Sequence, residues 1–399
     1  MSQPTAPVVT DPAAPPEGVS AWVSVDLDAI RDNVRELDRR ATNAEVMAVV
    51  KADAYGHGLV PAARAAVAGG ATWLGVAQLT EALELRRAGV TTRALTWLYP
   101  PGADFGAAID ADLDVSVSAP WALDEVVAAA RDRGRTARIH AKVDTGLARN
   151  GALGTGWTDL VAALGPAVAE GAVEVVGVWS HFALADAPQH PTVLAQRERF
   201  VEATAELERA GIRPQLRHLA NSAATLTNPD AHFDLVRPGL AVYGLSPVPD
   251  LGAPEAFGLR EAMRLTARLA LVKDAPAGQG VSYGHEYTTP RDTVLGLVPL
   301  GYADGIPRHA SSVGPVQIGG ERLTIAGRVC MDQFVVDLGP SYAGRAGDEV
   351  VVLGRGGDGE PTAQDWAATV GTINYEIVTR ISNRLPRVFV GGAGVGGGA

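Results

Sequence analysis

Between residues 45 and 237, short apolar runs alternate with amphipathic helical stretches, and no other feature limits the available folds as tightly. The runs fall at 45–50, 73–77, 94–98, 114–118, 138–143, 173–179, 215–219 and 233–237. Each is short, rich in β-branched residues and bounded by turn formers, the pattern of a buried strand. Between them lie helical patterns such as LTEALELRRAG, APWALDEVVAAARDRG and VLAQRERFVEATAELERAG, each closing on Gly as helices commonly do. Eight strand–helix repeats in about 200 residues predict a (β/α)8 barrel of the TIM type. A doubly wound open sheet is the alternative, but no Gly-x-Gly-x-x-Gly turn follows the first strand.

From about residue 258 the texture changes to β-rich runs broken by glycine, including RLTARLALV, TVLGLVPLGYADG and GDEVVVLG. Gly319-Gly320 stands between two such runs as a hairpin turn would. One more helical pattern, TAQDWAATVG, precedes NYEIVTRISNRLPRVFV. The expected division is an N-terminal arm over 1–20, a barrel over 21–257, a mainly β domain over 258–390 and a Gly-rich tail over 391–399. The strand at 22–27 is a candidate member of the β domain.

Hydrophobic residues make up 47% of the 399, enough for a sizeable core. A net charge of −11 argues against nucleic acid or an anionic membrane, since phosphate binding needs clustered Lys and Arg. Cys330 is the only cysteine, so no intramolecular disulfide can form and no oxidising compartment is called for. The first 20 residues, rich in Pro, Ala and Thr, lack the basic start and apolar core of a secretory signal. No apolar run approaches the ~20 residues a membrane helix needs. The expected location is the cytoplasm.

The chemistry converges on one end of the barrel. The first strand runs into Lys51 and Tyr55, in the stretch EVMAVVKADAYGHG. The fifth leads to Lys142, Asp144 and Arg149, and the sixth to Ser180 and His181. The seventh leads to His218, Asn221 and Ser222, and the eighth to Arg237 and Gly239. Singly each has a plain reading: a solvated lysine, a Lys142–Asp144 pair, a hydrogen-bonded core histidine, a loop arginine. In a barrel they share the rim where such folds carry their active sites. Ser222 opening a helix pattern and the Pro-Gly at 238–239 suit a phosphate. A lysine for a Schiff base, a phosphate cradle, and cations and imidazoles between describe a site for pyridoxal 5′-phosphate. An aldolase-type lysine is the rival, which the barrel alone cannot separate.

Nine motifs in order make the chain resemble the alanine racemases, pyridoxal-phosphate enzymes of fold type III. They are AVVKADAYGHG, KVDTGLARNG, SHFALAD, HLANSAA, VRPGLAVYGLSP, VSYGHEYT, PLGYADGIPR, GRVCMDQ and GTINYEI, spanning both halves of the chain. The resemblance implies interconversion of L- and D-alanine, supplying D-alanine for peptidoglycan, in a homodimer whose sites are shared across the interface. It implies that Lys51 carries the cofactor as one base. Tyr283, from the partner, would be the other. Arg149 would touch the cofactor's hydroxyl and the substrate carboxylate, and the Met331 amide, again from the partner, would bind that carboxylate. His181 would lie against the pyridine ring and Arg237 would face its nitrogen, oriented by His218. Tyr55, Ser222, Gly239, Leu240 and Tyr375 would hold the phosphate. Lys142 matches a lysine often carbamylated in the family, Tyr302 would lie near the entrance, and Asn221 would stand behind the first layer of contacts; no metal is implied. Ala148 departs from the pattern, standing where Gly is usual, as does Asn150, where an apolar residue is common.

Racemisation removes the Cα proton and returns one to the opposite face, which calls for two bases flanking the cofactor plane. Lysine and tyrosine have ordinary pKa values near 10.4 and 10, so nearby cations must favour their basic forms. The rivals are a broader-specificity racemase, a barrel-type decarboxylase and a non-catalytic pyridoxal-phosphate-binding protein. The last resembles only the barrel half, whereas here the region of Tyr283 and Met331 is also matched.

Overall fold

The computed structural model describes residues 18–392, so the expected arm and tail fall almost wholly outside the described residues. Those residues form two compact units. One comprises Ile30–Ala54 and Leu59–Leu259; the other comprises 18–29, Tyr55–Gly58 and 260–392.

The first unit is a parallel barrel. Its strands are β2 (Glu45–Val49), β3 (Trp73–Val76), β4 (Arg93–Thr96), β5 (Asp114–Val117), β6 (Ala137–Lys142), β7 (Val173–Trp179), β8 (Leu216–His218) and β9 (Leu235–Val236); β1 (Ala21–Asp26) belongs to the other unit. They pair in the order β8-β7-β6-β5-β4-β3-β2-β9. Asp234 N donates to Arg217 O (3.0 Å) and Arg237 N to Ala220 O (2.9 Å), which joins β8 to β9 and brings the ring nearly to closure. Met47, Trp73, Leu95, Val176 and Leu235 meet in one cluster although β4 and β7 are not neighbours. They therefore fill the interior, as stacked side-chain layers do in such barrels. Helices between the strands end as their sequences dictate. Pro120 and Pro191 open two of them at a position where a missing N–H costs nothing. Gly134 closes Pro120–Arg133 in the left-handed conformation (φ 60°).

The second unit is mainly β. Its six-stranded sheet runs β16-β15-β18-β10-β1-β19. These strands are β1 (Ala21–Asp26), β10 (Met263–Arg268), β15 (Pro315–Ile318), β16 (Glu321–Thr324), β18 (Glu349–Leu353) and β19 (Arg387–Val390). The strand read at 22–27 thus pairs antiparallel with β10 and parallel with β19. A three-stranded sheet joins β11 (Leu271–Ala275), β14 (Thr293–Val298) and β17 (Phe334–Gly339), and β12 (Gly280–Val281) pairs with β13 (Tyr287–Thr288). Gly319 and Gly320 have φ of 59° and 82° between β15 and β16, the two left-handed residues a tight hairpin turn demands. Among the described residues no helix is long and apolar enough to cross a membrane.

Candidate active site

Lys51 follows β2 directly, and the chain then makes a turn of unusual hand. Ala52, Asp53, Ala54 and Tyr55 have φ between 52° and 56°, and Gly56 follows at 81°. Four successive non-glycine residues in this region cost roughly 1–2 kcal/mol each. Carboxylates offset part of that cost: Glu81 accepts from Ala52 N (2.6 Å), Ala77 N (3.0 Å) and Gln78 N (2.9 Å), and Asp53 from Leu59 N (2.7 Å). Lys51 is half-buried. Burial first, then Arg149, hold its ammonium below the ordinary lysine pKa, with Glu81 pulling the other way.

Lys142 ends β6 and is 4% exposed. Its Nζ lies 3.9 Å from the centroid of Trp179. It makes no ion pair with Asp144, whose carboxylate instead accepts from Gly146 N (2.8 Å) and Ala148 N (3.1 Å) and so shapes the loop that presents Arg149. Burial, then Arg237 and Arg149, push Lys142 down to about 7. Ala148, where glycine is usual in the resembled family, sits at φ 56°, so the departure falls on a position that favours glycine. Asn150 anchors the same loop through Nδ2 to Trp97 O (3.5 Å).

Arg237 is buried, and its guanidinium is held entirely by neutral acceptors. Nη2 donates to Ser180 O (2.7 Å), Leu219 O (3.3 Å) and His181 Nδ1 (3.3 Å); Nη1 donates to His218 Nδ1 (3.2 Å). Burial lowers its pKa to about 9, still well above neutrality, so it remains a cation and a donor. His181 and His218 are held well below the ordinary histidine value, by burial first and then by Arg237. Both imidazoles are neutral.

Ser222 Oγ accepts from Gly239 N (2.8 Å) and Ala241 N (3.3 Å), tying the helix Ser222–Thr227 to the turn after β9, in which Leu240 is fully buried. Asn221 caps that helix, its side chain accepting from Ala224 N (3.1 Å). The barrel thus brings together Lys51, Lys142, Arg149, His181, His218, Ser222 and Arg237. No carboxylate among the described residues lies within ion-pair distance of its four cations. Such a set fits a ligand that carries phosphate and carboxylate charge and an aromatic ring.

The other expected residues belong to the second unit. Tyr55 is buried, its hydroxyl pushed up by burial, with its ring 6.3 Å from that of half-buried Tyr375. Tyr283 is 71% exposed, in a loop with Ser282 at φ 60°, Gly284 at 75° and His285 at 48°. The loop is pinned by Ser282 Oγ donating to Arg328 O (2.7 Å) and by the Arg328–Glu286 ion pair (2.5 Å). Met331 is exposed and its carbonyl accepts from Ala303 N (3.0 Å), while Tyr302 N donates to Cys330 O (3.0 Å).

The barrel adds three side chains that the sequence does not single out. His140 Nδ1 lies 2.8 Å from His218 Nε2, and His140 Nε2 lies 3.2 Å from Asp114 Oδ2. Trp179 stacks on His218 at 5.6 Å and 4°. One signal was available: His140 and Lys142 are two apart on β6 and so point to the same face.

Two family models match the chain, alanine racemase N-terminal domain over residues 25–247 and alanine racemase C-terminal domain over 262–389. The chain is 61% identical over 366 residues to the alanine racemase of Frankia casuarinae, covering 92% of this chain and 95% of that protein. It is 60% identical over 375 residues to that of Streptomyces coelicolor, covering 93% and 96%. Among solved structures, the alanine racemase from D-cycloserine-producing Streptomyces lavendulae superposes with a TM-score of 0.93 at 58% identity, covering 94% and 98%. The alanine racemase from Bacillus anthracis with bound L-Ala-P gives 0.87 at 38%, covering 95% and 97%.

Proposed function

The chain belongs to the alanine racemase family, pyridoxal-phosphate-dependent isomerases of L- and D-alanine, and from that premise we propose a two-base mechanism run by Lys51 and Tyr283. The observation that carries it is a lysine at a barrel strand end, held below its ordinary pKa within a group of cations that have no carboxylate partner. Lys51 would hold the cofactor, with Ser222, Gly239, Leu240, Tyr55 and Tyr375 around its phosphate. Bound pyridoxal phosphate supplies the electron sink that makes the alanine Cα proton removable.

The rest falls to side chains. Lys51, its pKa lowered, exchanges a proton with Cα on one face. Tyr283, supplied by a second copy of the chain, exchanges one on the other; its exposure in the described chain leaves it available for that role. Arg149 and the Met331 amide would hold the substrate carboxylate, and His181 would pack against the cofactor ring. Arg237 can only donate, so it would serve an unprotonated ring nitrogen, and the bound cofactor would then supply a weaker electron sink. Lys142, near neutrality, is open to carbamylation, which would set an anion beside Arg149. Asn221 and His218 support these groups, and Tyr302 lies toward the entrance. The enzyme works as a cytoplasmic homodimer.

Positioned acid–base groups contribute roughly 10²–10⁴-fold. Tyr283→Phe should therefore lose at least about a hundredfold in turnover in both directions while still binding cofactor. Lys51→Ala should lose the visible absorbance of the bound cofactor as well as activity. Near-normal turnover by Tyr283→Phe would sink the two-base assignment.

A further inference from the structure

Behind Arg237 a chain of hydrogen bonds crosses the barrel interior. It starts at Asp114, the first residue of β5, passes through His140 in β6 and His218 at the end of β8, and reaches Arg237 after β9. All four side chains are buried. The contacts are 3.2 Å, 2.8 Å and 3.2 Å in that order.

The chemistry of the two ends fixes every proton between them. Arginine can only donate, so His218 Nδ1 is an acceptor and its proton sits on Nε2. That proton points at His140 Nδ1, which must accept it. His140 then carries its own proton on Nε2 and gives it to Asp114, whose carboxylate is ionised; despite burial, its bonds to His140 and Arg138 lower its pKa to about 2. Protonating either imidazole, or moving either proton to Nδ1, sets two donors face to face. Only one arrangement satisfies all three bonds.

The fold makes room for this chain at some expense. The register of the β6–β7 pairing shifts between Ile139 and His140. Opposite lies Gly177, where a Cβ would fall 2.3 Å from His140 Nδ1. Trp73 meets the His140 ring edge-on (5.4 Å, 81°), and Trp179 stacks on His218. Arg138 Nε (2.7 Å) and Arg93 Nη2 (3.2 Å) grip Asp114. A histidine that only filled space would need none of this.

We propose that Asp114 and His140 are positioning residues for the racemisation: through His218 they dictate which edge of the Arg237 guanidinium is engaged from behind and which stays free for the cofactor ring. The inference rests on the reading of Arg237 as the partner of the ring nitrogen.

The test uses the holoenzyme. Histidine-ring ¹⁵N NMR of the wild type should show both His140 and His218 neutral and protonated on Nε2. His140→Leu removes the acceptor for His218. It should lower kcat roughly tenfold to a hundredfold, the size seen when a group that orients another is removed, with little change in KM. It should also shift the cofactor's visible absorbance band in the direction that Arg237→Gln shifts it. His140→Gln can accept from His218 and donate to Asp114 at once, so it should recover most of both. His218 found protonated on Nδ1, or doubly protonated, overturns the relay without any variant having to fold. So does a His140→Leu enzyme with normal kcat and an unmoved band, or a Gln variant no better than Leu. A band unmoved by Arg237→Gln too overturns the underlying reading of Arg237, and the relay's role falls with it.

Discussion

Lys142 is an ammonium group in a place that disfavours charge. Its folded-state pKa of about 7 lies below the 10.5 of an ordinary lysine, so the unfolded chain binds a proton that the folded protein gives up. Stability from this group therefore rises with pH between about 7 and 10.5, and below about 7 the full penalty of a buried cation is felt. That penalty is on the order of a few kcal/mol. Lys142→Met should accordingly melt at a higher temperature than the wild type near pH 6, in CO2-free buffer and without cofactor. The advantage should shrink steadily toward pH 10. A gap that does not depend on pH would show that the amine is comfortable as a cation. At this scale the sequence was legible where residues end strands: Lys51, Lys142, His181 and Arg237 were named from position alone. His140 and Asp114 were not, because a side chain inside a strand looks like core until its neighbours across the barrel are known.

The turn after Lys51 shows what an element can hide. KADAYG carries four residues with Cβ atoms in the left-handed region, a conformation that no propensity of Ala, Asp or Tyr predicts. Glu81, from a different strand–helix unit, holds its first amide, that of Ala52, and the Asp53 carboxylate accepts from Leu59 N just beyond it. Glu81→Gln keeps the shape but replaces one acceptor oxygen with a donor facing backbone N–H groups. We expect a loss of roughly 1.5–3 kcal/mol, the range for hydrogen bonds to a charged group, read by denaturant unfolding. Cofactor affinity should weaken in parallel, because the turn fixes where Lys51 stands. Unchanged stability would mean the turn is held from elsewhere. The barrel strands themselves were legible because each is a short apolar run between amphipathic helices. Their ends were less so: the last shrinks from an expected 233–237 to Leu235–Val236. Phe233 has turned left-handed (φ 51°), and the Asp234 carboxylate is taken by Arg217.

At the scale of the whole molecule, an active site completed by a second copy has a signature that a single-chain site cannot imitate. Nothing in hydropathy or strand periodicity calls for that copy. What points to it, beyond the family resemblance, is that the folded second unit leaves Tyr283, Met331 and Ile373 more than half exposed. Lys51→Ala and Tyr283→Phe homodimers should each be nearly inactive. When subunits are exchanged at equal concentrations, half of the dimers are mixed. In each mixed dimer one site draws its intact lysine from one chain and its intact tyrosine from the other, while the second site carries both lesions. The mixture should therefore recover about a quarter of the wild-type rate, as two-fold symmetry requires. If both groups came from the same chain, every site would keep exactly one lesion and mixing would restore nothing. Size-exclusion measurements on differently tagged chains confirm that exchange has occurred, so a silent mixture of verified mixed dimers would remove Tyr283 of the second copy from the mechanism.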